Sequence, residues 1–351
     1  MALIEQGLEP EDFASTAARA VEVCAGLSLR EQAARLAGDG LLGVIAPDDV
    51  GGLGLPLSFA VPVVTAANAA LLAFPILEAI LLGRCLQAAM PRAAEAVVTG
   101  KALATIAWNG SVTAERRGTD TVVLSGSLAR APCAADADHV LVRVGDNAAA
   151  LVPIGCKGVS VEAASGLDLT APEHNIHLDN VCLSRDCLLG EGAWAELNAD
   201  ATILRAAAIL GSAETCLGLA QEHASTRRQF GHALSYNQAI RHALARHKLG
   251  LEGMRHAITR ALRDDASALE RDVAFLAAST YGASICEGAV QIHGGMGFTW
   301  DVPLHRHLRR IRSLQGQGNA SATLAAVGQR FVADVAPAIE ITAPRQRGLA
   351  I

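Results

Sequence analysis

The sequence predicts an α+β chain in which two helical regions flank a small β domain. Three observations carry this prediction. Apolar residues recur at helical spacing before residue 100, and again from about residue 193. Between them, residues 102–191 hold short β-branched segments separated by Gly, Asp and Pro. Helices, then strands, then helices is the order of an α+β architecture, and no internal repeat is evident. The expected division is an N-terminal helical domain over 1–100, a middle β domain over 101–192 and a C-terminal four-helix bundle over 193–351.

Each element follows from local pattern. Residues 13–36 place apolar side chains at helical spacing. A punctuated loop follows, with GLLGVIAP from Gly40 to Pro47 and then Gly51, Gly52 and Gly54. Pro91 begins a short helix that ends near Gly100. TVVL from Thr121 to Leu124, HVLVRV from His139 to Val144 and GVSV from Gly158 to Val161 read as strands. The stretch 203–220 is apolar nearly all round, so it belongs inside a bundle. Ile240, Leu244, Leu251, Met254, Ile258 and Leu262 mark one face of a second long helix. Leu269, Val273, Leu276, Ser284 and Val290 fit a third, and a fourth covers 320–338.

Composition narrows the function. The 351 residues carry a net charge of −6 and no basic arm, which argues against nucleic acid as a partner. The first ten residues have acids where a signal peptide has bases, so a cytoplasmic protein is expected. Residues 60–82 are apolar, but Pro62, Asn68, Pro75 and Glu78 interrupt them, and no membrane span is expected. The eight cysteines are scattered without a CxxC or Cys/His cluster, so no metal site is expected.

Two segments carry the chemistry. One is QIHGGMGFTW from Gln291 to Trp300. Adjacent Gly294 and Gly295 let a backbone approach a ligand, and Gln291 brings an amide that both donates and accepts. The same glycines also suit a helix C-cap. The other is RRQFG from Arg227 to Gly231, with Gln238 just beyond. A guanidinium there suits a pyrophosphate, and equally a helix end.

Together these segments resemble the C-terminal domain of the acyl-CoA dehydrogenases, which hold FAD and oxidise acyl-CoA thioesters. The loop at Gly40–Gly54, Ala137 with Asp138, and GLDLT from Gly166 to Thr170 resemble further family markers. The resemblance implies FAD contacts from Arg227, Gln229, Phe230, Gln238, Gln291, His293, Gly294 and Gly295, and from Thr105 and Ser111 in the β domain.

The chain also departs from the family. The flavin-side "TEPxAGS" loop becomes TIAWNGS from Thr105 to Ser111, with Ile106 replacing the acid. The "WIT" beside the flavin becomes Arg130, Ala131 and Pro132. The "EGT" that supplies the base becomes Gln317, Gly318 and Asn319, and a carboxamide cannot take a proton. The alternative base position reads Ala201, flanked by Asp200 and Thr202. No catalytic residue is therefore assigned.

This pattern resembles the shorter subunit of the heteromeric acyl-CoA dehydrogenases of steroid catabolism. It implies a second, different subunit in an α2β2 heterotetramer and an electron-transfer flavoprotein as acceptor. The alternatives are a homomeric dehydrogenase using Asp200, and a scaffold without enzymatic function.

Overall fold

The computed structural model describes residues 9–335 together with Gly7. The N-terminal region forms α1 (Asp12–Val23), α2 (Leu29–Gly38), α3 (Ala60–Ala69), α4 (Ile76–Cys85) and α5 (Pro91–Val98). The helical pattern of 13–36 is thus two helices. Gly26, at φ +80°, turns the chain between them. Ser28 and Glu31 then close a capping box that restarts the helix. Residues 60–82 are also two helices, α3, which buries one face, and α4, which is mostly buried.

A sheet follows, built from β1 (Ala104–Ile106), β2 (Asn109–Arg117), β3 (Thr121–Pro132), β4 (His139–Val144), β5 (Ala148–Pro153), β6 (Val159–Ala163), β7 (Glu173–Ser184) and β8 (Leu188–Leu189). Its order is β6-β7-β3-β2-β4-β5-β8, with β1 paired to β4. Val122, Leu124, Leu128, Val140, Val142 and Ile176 pack into a core of its own. The β-branched segments seen in the sequence therefore supply the sheet's buried face.

The chain becomes helical again at α6 (Ala193–Thr226). A short hairpin of β9 (Arg228–Gln229) and β10 (His232–Ala233) separates it from α7 (Gln238–Ala261). Then come α8 (Ala268–His293), α9 (Leu304–Gln317) and α10 (Ala320–Val335). The last three residues of the expected fourth helix, 336–338, lie outside the described residues. As expected, α6 is buried on every side over 201–213. On α7, Leu251, Met254 and Ile258 face inward.

Helix α8 differs in which stripe it buries. Ala274, Phe275, Ala278, Gly282, Ile285, Cys286 and Ala289 point inward, while Val273 is exposed. Small residues let two helix backbones draw close, and that proximity outweighs the larger side chains on the other face. A Cβ on Gly282 would sit 2.4 Å from the Ile209 side chain. Gly211 of α6 works the same way against α3, where a Cβ would lie 2.1 Å from the Thr65 carbonyl oxygen. Helices α6 and α8 are long and apolar enough to cross a membrane, yet 78% of the apolar window of α6 is buried in the protein.

Candidate functional site

The two C-terminal motifs meet at the ends of α6 and α8. Arg227 caps α6 and extends into β9. Phe230 and Gly231 form the two-residue turn of the hairpin, at φ +53° and +84°. Two successive positive φ angles are what the twist of such a hairpin requires. A non-glycine residue there costs on the order of 1 kcal/mol. The geometry displays Phe230 with 91% of its surface exposed. Arg227, Gln229 and Gln238 are exposed as well, and Arg227 has no acidic partner among the described residues.

At the other motif, Gln291 lies exposed on the last turn of α8, and Gly294 caps the helix at φ +62°. Gly295 has neither a positive φ nor a neighbour within 4 Å of where its Cβ would stand. The chain's own packing does not need a glycine there, whereas an approaching ligand would. His293 turns inward. It is buried, its Nδ1 lies 2.8 Å from the Ala289 carbonyl oxygen, and its ring stacks on His223 at 4.3 Å. His293 thereby ties the two motifs together. Burial, then His293 and Arg227, holds the His223 ring below its ordinary pKa.

The β-domain candidates lie apart from this pair of motifs. Ser111 is exposed on β2. Thr105 is fully buried, and its hydroxyl donates to the Pro132 carbonyl oxygen at 2.7 Å. Its hydroxyl joins β1 to β3.

The position of Gln317 is closed. Gln317 is buried, and its Nε2 donates to Glu173 Oε1 at 2.8 Å. Ser313 Oγ donates to the same oxygen at 2.8 Å. Arg130 donates from Nη1 to Glu173 Oε2 at 2.9 Å. Glu173, only 2% exposed, thus fastens β7 to β3 and to α9 at once. Arg130 also lies over Gly316, where a Cβ would come within 2.6 Å of its guanidinium carbon. Asp200 is ion-paired with Arg84 of α4 and is not poised as a base. Ala201 is fully buried.

Beneath Gln317 lies a cavity of about 50 Å³, lined among others by Asn68, Glu78, Asp168, Arg310 and Ser313. Ligand pockets begin near roughly 300 Å³. Arg310 fills the middle, bonded to Asp168, Asn68, Thr170 and the Leu72 carbonyl. That cavity is too small for a flavin ring or a thioester.

Three further buried groups escaped the sequence reading. Trp108 Nε1 donates to Glu78 Oε1 at 2.8 Å, and the Arg205 guanidinium stacks 3.9 Å over the Trp108 ring. Burial pushes the Glu78 carboxyl up and the Arg205 guanidinium down to about 10. The available signal was one acid inside the otherwise apolar ILEAILL of α4, since a buried acid needs a partner.

The fold is that of the acyl-CoA dehydrogenases. Residues 199–330 match the family model for the acyl-CoA dehydrogenase C-terminal domain. It is 28% identical over 289 residues to acyl-CoA dehydrogenase FadE34 of Mycobacterium tuberculosis, covering 81% of this chain and 39% of FadE34. With acyl-CoA dehydrogenase FadE27 of the same organism it is 27% identical, covering 86% of this chain and 88% of FadE27. This chain therefore spans about two fifths of FadE34's length and most of FadE27's. The ChsE4-ChsE5 complex from Mycobacterium tuberculosis superposes with a TM-score of 0.84 at 25% identity, over 92% of this chain and 97% of that one.

Proposed function

We propose that this chain is a subunit of a heteromeric, FAD-dependent acyl-CoA dehydrogenase, and that it supplies nucleotide contacts to its partner's flavin while lacking a base of its own. One asymmetry carries the reading. The cleft between β3, β7 and α9 is sealed by Arg130, Glu173 and Gln317. The Arg227 hairpin, Gln291 and Gly295 are meanwhile exposed and have no use inside the chain. The ChsE4-ChsE5 complex, a pair of different subunits, supports a partner of this kind. The reaction would be α,β-dehydrogenation of an acyl-CoA thioester, steroid-derived ones among the substrates. The assembly would be an α2β2 heterotetramer in the cytoplasm, with an electron-transfer flavoprotein as acceptor.

Each residue then has a task. Arg227 meets the pyrophosphate with paired charged hydrogen bonds. Gln229, Gln238 and Gln291 donate and accept through their amides, Phe230 packs on the nucleotide, and Gly294 and Gly295 leave room for it. A flavin held by these residues would supply the hydride acceptor, and the α-proton would have to go to a base outside this chain. Gly295→Leu tests this. Its side chain enters open space, so the bundle should keep its melting temperature while the co-expressed pair loses flavin. Undiminished flavin in that variant would reject the proposed contact.

One observation favours a homomeric enzyme instead: Glu78 is a buried carboxylate on the same cavity as Gln317. That reading needs the cavity to open. Turnover by the isolated chain that is abolished by Glu78→Gln would establish it.

A further inference from the structure

Trp300 lies 61% exposed in the loop after the glycine pair, outside every contact described so far. The guanidinium carbons of Arg306 and Arg309 each stand 5.9 Å from its ring centroid. The His305 ring meets it edge-on at 4.4 Å. With Asp168, Leu169 and Thr170 these residues line a recess of about 210 Å³.

Its one acid, Asp168, is committed to Arg310. On α9, Arg310 pairs with Asp168 and Arg312 with Glu287, but Arg306 and Arg309 have no acidic partner among the described residues. His305 Nε2 is buried without a hydrogen-bond partner. Burial, then Arg309 and Arg306, opposes protonation of that ring. Two unpaired guanidiniums over an indole that is still 61% exposed are complementary to phosphate beside a planar ring. Phosphate takes the paired donors of arginine, and a heteroaromatic base stacks on tryptophan. The apolar side of the recess is Leu169, itself 63% exposed.

We propose that Trp300, His305, Arg306 and Arg309 form a binding site for the adenosine diphosphate portion of a nucleotide. The adenine stacks on Trp300, and the two arginines hold the phosphates. The recess has room for one bicyclic ring and not for a whole dinucleotide. A second recess of about 290 Å³, lined by Gln291 and Phe298 among others, shares His305 with it. All four residues belong to this chain, so the site does not depend on the partner-subunit reading. FAD and coenzyme A both carry adenosine diphosphate, and only coenzyme A adds a 3′-phosphate.

The test is calorimetric titration of the isolated full chain with ADP, with Trp emission followed in parallel. Trp108 and Trp194 are buried, so Trp300 should report the binding. Saturable binding with a change in emission is expected. The Arg306→Ala/Arg309→Ala pair should weaken it by at least about tenfold, and Trp300→Ala should weaken it separately. Both replace partly exposed side chains and should melt with the parent. The His305 ring should titrate at higher pH with ADP bound. No saturable binding at millimolar ADP, or full affinity in the double arginine variant, overturns the proposal.

Adding a 3′-phosphate to the ADP identifies the source. Tighter binding assigns the site to coenzyme A, and equal binding assigns it to an adenine nucleotide that lacks the 3′-phosphate. Arg227→Ala should retain ADP here while costing the co-expressed pair its flavin, so the two proposals can fail separately.

Discussion

Glu173→Ala removes the acceptor on which three elements converge. The parent carboxylate takes hydrogen bonds from Arg130, Ser313 and Gln317. The variant leaves the Ser313 and Gln317 donors buried and unpaired, at about 1–3 kcal/mol each. The Arg130 contact adds little, because its side chain is 40% exposed and solvent screens the pair. The expected cost is therefore about 3–5 kcal/mol, near that of breaking a buried ion pair. At roughly 2 °C per kcal/mol for a large domain, the melting temperature should fall by about 6–10 °C. Thermal unfolding followed by circular dichroism reads this. Arg130→Ala/Glu173→Ala should cost less than the two single changes summed, since they share a contact. A Glu173→Ala chain within about 1 kcal/mol of the parent would refute the claim that this residue bolts sheet to bundle.

Three further outcomes follow from the same geometry. Burial first, then Arg310, pushes the His307 ring down to about 4 from an ordinary 6.5. The unfolded chain binds the proton first as pH falls, so stability is complete above pH 6.5 and declines toward pH 4, by about 3 kcal/mol in all. Chemical denaturation across that range should lose this slope in His307→Leu. Gln317→Glu should restore no turnover to the isolated chain, because Arg130 and Glu173 still fill the cleft; measurable dehydrogenation would contradict this. Asp200→Asn should leave turnover of the partnered complex within about twofold, since its partly exposed pair with Arg84 is worth less than about 1 kcal/mol.

The layered architecture was legible because hydrophobic period changes along the chain, and period is a local property. The helix α6, apolar on every side, announced its burial in the bundle. The stripe of α8 did not announce itself, because alanine and glycine carry little hydrophobic signal and act only once a second helix lies against them. The site divided along the same line. The hairpin at Phe230 and the cap at Gly294 are short-range features, and their residue types imply the backbone they adopt. Thr105 and His293 had suitable chemistry, but residue type does not say which way a side chain turns. The seal is least legible of all. Glu173 and Gln317 lie 144 residues apart, and nothing local marks either as the other's partner. Arg130 read as the loss of an aromatic surface. In the fold it becomes the filler of the space that loss creates.

The central claim is that this chain contributes to a flavin site it does not own. Flavin absorbance per mole of protein, measured on the isolated chain and on the co-purified pair, tests it most directly. The account predicts none on the isolated chain and one flavin per pair of different subunits. Stoichiometric flavin on the isolated chain, together with turnover of an acyl-CoA, would contradict it.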